Sequence, residues 1–192
     1  MVKWDVSNIV ATIYFNVRLP LDKIANSIPY ASYDPETFPG LILPLKDGKI
    51  KALIFNSGTI NFAGLKKIDE LEEVIEVLRK IFADVGINLP QEYKIKLQNI
   101  VVNGEFDYDN IDIVKLSDEV ESSLYNPEAF PAVIVPYKIS QDYEVKFNVF
   151  KNGKFVCAGL KGVGRSIKEI YESINKVILD FQEKVISKYA KK

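Results

Sequence analysis

The sequence predicts an α+β protein in which antiparallel strands carry helices on one face, with the whole arrangement built twice. Three observations lead there. Apolar, β-branched segments of strand length are separated by Asp-Gly, Ser-Gly and Asn-Gly turns. Two longer segments repeat apolar residues at 3–4 spacing, the period of an amphipathic helix. The motifs of the first half return in the same order about ninety residues later.

In chain order, Val6–Phe15 reads as a strand and Leu21–Ser27, after Pro20, as a short helix. The loop Tyr33-Asp34-Pro35-Glu36-Thr37-Phe38-Pro39-Gly40 follows. Its two prolines fix φ and restrict the residues before them, so Phe38 is held at a stiff tip. Strands are expected at Leu41–Leu45, Ala52–Asn56 and Thr59–Ala63, with turns at Asp47-Gly48 and Ser57-Gly58. Ile68, Leu71, Ile75, Leu78 and Phe82 then mark a long helix, ended by Gly86. The acidic residues at its start (Asp69, Glu70, Glu72, Glu73) suit the positive end of the helix dipole and read as a solvated face.

The second half has the same parts. A strand at Ile95–Val102 precedes a helix near Ile111–Ser122 and the loop Tyr125-Asn126-Pro127-Glu128-Ala129-Phe130-Pro131-Ala132. Strands at Val133–Tyr137, Val145–Phe150 and Lys154–Ala158 lead to a helix marked by Ile167, Ile170, Ile174, Val177 and Phe181. A short insertion lengthens the hairpin Lys138–Glu144. The expected division is residues 1–90 and 91–192, two repeats in one pseudo-symmetric body. Two copies are too few for a solenoid. Helices on one side bury one sheet face, and the other is left as an apolar surface of the kind that binds a partner.

Composition narrows the function. Hydrophobic and charged contents of 47% and 27% are those of an ordinary soluble domain. There is no histidine, so Ser-His-Asp and Cys-His catalysis and imidazole metal sites are excluded. The one cysteine, Cys157, sits in an apolar run and reads as a small buried hydrophobe. No catalytic residues, cofactor or metal are expected. A net charge of −1 gives no general attraction to nucleic acid, so any such binding rests on local shape and charge. The segment Met1–Asp5 lacks the apolar stretch of a signal peptide, and the expected location is intracellular: cytoplasm or nucleoid, or the nucleus in a eukaryote. Trp4 is expected to pack locally, and Lys191-Lys192 to form a basic tail.

One feature resists propensity. Asn8 and Asn99 both lie inside strand-like runs, each followed by Ile-Val, where asparagine is disfavoured. These asparagines, the two Tyr-x-Pro-Glu-x-Phe-Pro loops, Leu53–Gly58 and the triplets Gly64-Leu65-Lys66 and Gly159-Leu160-Lys161 together resemble the conserved core of the TATA-binding protein family, in its archaeal form. The resemblance spans about residues 5–183. It implies a saddle made of one curved antiparallel sheet, with helices on the convex side and promoter DNA under the concave side.

The resemblance also implies residue roles. Phe38, Phe55, Phe130 and Phe150 match the family's wedging phenylalanines, Asn8 and Asn99 its central base contacts, and Val10 and Val101 its apolar floor. Lys66, Lys154 and Lys161 match phosphate-contacting positions. Asn126, Glu128 and Ala129 fall where the family meets a transcription factor B homologue, the route to RNA polymerase; only Glu128 keeps the family's type. The implied function is a general initiation factor that bends TATA-like DNA. The alternative is a divergent paralogue that uses its open face mainly for protein contacts. Ala63 and Ala158 stand where the family has threonine, each losing a base hydrogen bond of about 1 kcal/mol. Pro44, Pro136 and Thr59 replace basic residues, which predicts weaker binding and a shallower salt dependence.

Overall fold

The computed structural model describes residues 1–164 and 166–191. The first half runs β1 (Lys3–Tyr14), α1 (Leu21–Ser27), β2 (Leu41–Leu45), β3 (Ile50–Ile54), β4 (Thr59–Leu65) and α2 (Glu70–Asp84). The second runs β5 (Lys94–Glu105), α3 (Ile113–Glu119), β6 (Ala132–Ser140), β7 (Tyr143–Phe150), β8 (Lys154–Gly164) and α4 (Ile167–Lys184), then a 3-10 turn at Ile186–Lys188. The strands form an eight-stranded sheet in the order β2-β3-β4-β1-β5-β8-β7-β6.

The chain divides into two compact units. One comprises Asn8–Gln98 with Gly162–Ile170; the other comprises Met1–Ser7, Asn99–Lys161 and Tyr171–Lys192. In the first unit Ile9, Ala11 and Ile13 of β1 alternate inward, as do Leu41, Leu43 and Leu45 of β2 and Ile50, Ala52 and Ile54 of β3. They share the core with Leu71, Val74, Ile75, Leu78 and Phe82 of α2, all at most 1% exposed. Arg79 of α2 holds the connector. Its guanidinium donates to the carbonyls of Leu89 (2.7 Å) and Pro90 (2.6 Å) and lies over the rings of Phe15 and Tyr93.

The second unit has a more aromatic core. Phe147 of β7 stacks on Phe181 of α4 with centroids 3.8 Å apart, and Phe106 stacks on Phe155 at 4.3 Å. Burial of this kind contributes about 2–3 kcal/mol per ring, which is what ties α4 to its strands. The α4 stripe differs from the sequence reading at two members: Ile167 and Val177 are only half-buried, and Ile178 is fully buried in place of Val177. The run Ile170, Ile174, Ile178, Phe181 keeps the 3–4 spacing.

Other boundaries also moved. Trp4 lies within β1, packs at a tilt against Tyr171 (5.5 Å) and donates to Asn175 of α4, so its packing is long-range and not local. Lys191 is no free tail: its ammonium pairs with Asp112 at 3.1 Å and its amide donates to the Asn110 carbonyl. Lys192 lies outside the described residues. The predicted second short helix contracts to α3, capped by Asp112, whose carboxylate accepts from the Lys115 amide. The insertion in the second half adds rungs to the β6–β7 hairpin, Lys138↔Glu144 and Ser140↔Tyr143, where the first half turns directly after Leu45↔Ile50.

Candidate nucleic-acid interface

Each unit presents one sheet face that its helix does not cover. In the first unit this face carries Asn8 and Val10 of β1, Asn61 and Ala63 of β4, and Leu53 of β3, the residues that alternate with the buried ones, while Thr12 beside Asn61 is itself buried. In the second it carries Asn99 and Val101 of β5, Val156 and Ala158 of β8, and Lys146 and Asn148 of β7. Asn8 and Asn99 are exposed, and Val10 and Val101 are half-exposed.

The two Phe-bearing loops are built alike. Backbone carbonyls of Asp34 and Asn126 accept from the amides of Phe38 and Phe130, both at 2.9 Å. Their side-chain oxygens accept from the amides of Glu36 and Glu128, both at 3.2 Å, which makes each an Asx turn. Bridges Ser32↔Ile42 and Leu124↔Ile134 close the loop bases. One bond lacks a counterpart: the Thr37 hydroxyl donates to Asp34 at 2.6 Å, where the second loop has Ala129. That bond and the Glu36 amide hold the Asp34 carboxyl below its ordinary value.

These loops bring the phenylalanines together in pairs. Phe38 meets Phe55 edge-to-face, with centroids 5.9 Å apart and an angle of 66°; Phe130 meets Phe150 at 5.9 Å and 69°. Phe55 is not inside a strand as expected: it follows β3 in a turn, its amide donating to Thr59 and its carbonyl accepting from Gly58. Phe150 is the last residue of β7. None of the four rings is buried. Phe130 is 39% exposed and the other three are half-buried. An edge-to-face pair contributes about 1 kcal/mol, less than the roughly 2–3 kcal/mol that core burial would give one ring. The rings are therefore positioned by each other and left available.

The pairs are not identical. A Cβ on Gly40 would lie 2.7 Å from the Phe38 ring, so glycine there lets the ring settle onto the backbone. The matching residue is Ala132, whose methyl takes up that space. An open trough of about 680 Å³ lies beside Phe150, lined by Trp4, Asn103, Asn152, Lys154 and Val156 among others.

The first Gly-Leu-Lys triplet adjoins a bulge. Ile9 pairs with Leu65 and Ala11 with Phe62, so β4 carries one extra residue, at Ala63-Gly64. Gly64 has φ +96°, and a Cβ there would sit 2.3 Å from the Lys49 carbonyl oxygen. Gly159 repeats the positive φ at +86°. Leu65 and Leu160 are fully buried, while Ala63 and Ala158 are exposed on the open face. Asn99 has φ +49°, a conformation asparagine tolerates better than most residues. The strand's inward set shifts there from Ile95 and Leu97 to Ile100 and Val102. Asn8 has no such backbone, so the two matched asparagines differ in what holds them.

The expected cations are at the surface. Lys66 is exposed; Lys154 makes a 3.8 Å pair with the exposed Glu105; the Lys161 ammonium lies 5.7 Å from the Tyr143 ring centre. Sequence reasoning missed two more. Lys51 pairs in register with Pro44, and Lys146 with Pro136. At each edge-strand proline, a lysine on the neighbouring strand occupies the paired position. Only pairing register discloses that juxtaposition. Cys157 is fully buried, and burial pushes its thiol pKa up. No described group of acidic or Cys residues can hold a metal ion, and no described helix is long and apolar enough to cross a membrane.

A sequence model of the family described as "Transcription factor TFIID (or TATA-binding protein, TBP)" matches residues 3–85 and 94–183. The TATA-box-binding protein of Pyrobaculum calidifontis is 34% identical over 177 residues, covering 91% of this chain and 87% of the relative. That of Aeropyrum pernix is 36% identical over 178 residues, 93% of this chain and 84% of its own. The solved structure of Methanococcus jannaschii TBP superposes with a TM-score of 0.68 at 29% identity, covering 94% of this chain and 99% of that one.

Proposed function

The chain belongs to the TATA-binding protein family, and on that premise we propose that it is a general transcription initiation factor. It binds the minor groove of TATA-like promoter DNA, bends it by inserting phenylalanines, and nucleates assembly of the initiation complex. The observation that carries this reading is the pair of matched, unburied Phe–Phe contacts at the ends of stiff loops. Minor-groove proteins that wedge apolar side chains between base steps, of which this family is itself a standard example, trade unstacking for a wider protein–DNA contact.

In this reading Phe38 with Phe55, and Phe130 with Phe150, are the wedges. Asn8 and Asn99 donate to the A N3 and T O2 acceptors of the groove, over a floor that includes Val10 and Val101. Lys66, Lys154 and Lys161 reach phosphates, joined by Lys51 and Lys146. The Lys154–Glu105 pair is exposed and worth little, so it yields readily to a phosphate. Residues 1–90 and 91–192 act as two repeats, each carrying one Phe pair and one of the matched asparagines. The protein performs no reaction and uses no cofactor or metal; it acts by shape and charge. A transcription factor B homologue docks on the second loop. There Asn126 spends its side-chain oxygen on the Glu128 amide, leaving the Glu128 carboxylate as the recognisable charge.

The test is fluorescence anisotropy and a bending assay on a TATA duplex at several salt concentrations. Phe130→Ala with Phe150→Ala is expected to abolish bending. Equal bending by that variant would overturn the wedge assignment, and no binding by the parent even at low salt would favour a protein-interaction paralogue.

A further inference from the structure

The floor beside each Phe pair contains an asparagine where an aliphatic pair would be the simpler choice. In the first unit Leu53 of β3 pairs across with Asn61 of β4; in the second Asn148 of β7 pairs across with Val156 of β8. The two pairs occupy matching places in the repeats, with the asparagine on opposite members. Each is thus one aliphatic and one amide group, half-exposed on the open face. The asparagines differ in what holds them. The Thr12 hydroxyl donates to Asn61 Oδ1 at 2.8 Å, turning its NH2 group outward as a donor. Among the described residues no side-chain hydrogen bond restrains the amide of Asn148, which can present either oxygen or nitrogen.

We propose that Asn61 and Asn148 are two further base-reading side chains, and that Asn148 lets its half of the site accept a G·C pair while Asn61 confines its half to A·T. The proposal rests on the DNA-binding reading above. In the minor groove A·T and T·A pairs show only acceptors, and G·C adds the guanine N2 amino donor. An outward NH2 group on Asn61 complements the acceptors and meets the guanine amino group as donor against donor. Asn148 turns its oxygen toward a guanine amino group or its nitrogen toward an acceptor, and so satisfies both. An aliphatic residue would leave that amino group unpaired.

The experiment walks a single G·C pair across a TATA duplex, and in parallel an I·C pair, which keeps the shape of G·C but lacks the N2 amino group. Anisotropy is read for the parent, Asn148→Leu, Asn148→Asp and Asn61→Val. For the parent, G·C at one step in one half is expected to bind within about threefold of the all-A·T duplex, and Asn148→Leu to lose about tenfold there, the size of one base discrimination. I·C at that step should restore Asn148→Leu to its all-A·T affinity. Asn148→Asp, with only acceptors, should shift preference toward G·C, a gain that a folding defect cannot produce. Asn61→Val should weaken A·T binding in the other half and leave the tolerated step unchanged. An Asn148→Leu profile that overlays the parent's overturns the proposal while leaving the DNA-binding reading intact. Failure of the parent on every duplex overturns both.

Discussion

Asp34 and Asn126 hold the same loop with the same backbone bonds, yet only one of them titrates. The Thr37 hydroxyl and the Glu36 amide lower the folded-state pKa of Asp34 below its ordinary value of 3.8. A depressed carboxylate contributes stability that is full above its unfolded pKa and is lost as pH falls through the folded one. The first loop should therefore loosen in acid and the second should not. Amide exchange followed from about pH 5 to about pH 3, where carboxylates titrate, is expected to show Phe38 losing protection relative to Phe130. Thr37→Val should bring that loss to higher pH by removing the strongest bond to the carboxylate. Lys51 and Lys146 make the second prediction at this scale. Both are exposed opposite a proline, and neither is in an ion pair among the described residues. Replacing either with Ala should reduce the slope of log affinity against log salt by about 0.9, with base preference unchanged.

The elements themselves were largely readable. α1 and β2 fall where propensity and punctuation put them, and the residues nominated by the 3–4 spacing are all buried, although Ile68 lies ahead of α2, which starts at Glu70. Strand ends were not, because they depend on partners: β8 runs to Gly164 and β1 begins at Lys3. The bulge at Gly64 was visible only as part of a repeated triplet; its meaning needed the register that shows the extra residue. The connector after α2 makes the same point. Nothing local marks Arg79, but its guanidinium donates to successive carbonyls of the connector while packed on two rings. Charged hydrogen bonds of this kind are worth about 1.5–3 kcal/mol. Arg79→Ala is expected to destabilise the fold by about 2–3 kcal/mol in urea unfolding, and Arg79→Lys to recover only part, since an ammonium lacks the planar fork.

For the whole molecule, charge and pH behaviour follow from composition. A protein with net charge −1 and no histidine has local cations but no side chain that ordinarily titrates between about pH 5 and 8. Affinity for a TATA duplex is therefore expected to fall with salt yet stay within about twofold from pH 6 to 8 at fixed salt; a strong pH dependence would mean that a partner or a shifted group takes part.

The sequence by itself determined the duplication, the long helices and the stiff Phe-bearing loops, because these are written in local chemistry: proline rings, glycine turns and apolar periodicity; the family entered through the resemblance of its repeated motifs. Only the tertiary structure decided which residues share the open face and what each can offer there. Pairing register set Lys51 against Pro44 and Asn148 against Val156, and a single Thr12–Asn61 hydrogen bond made two otherwise similar half-sites chemically different. Register and side-chain hydrogen bonding arise between segments far apart in the chain, and no local pattern encodes them.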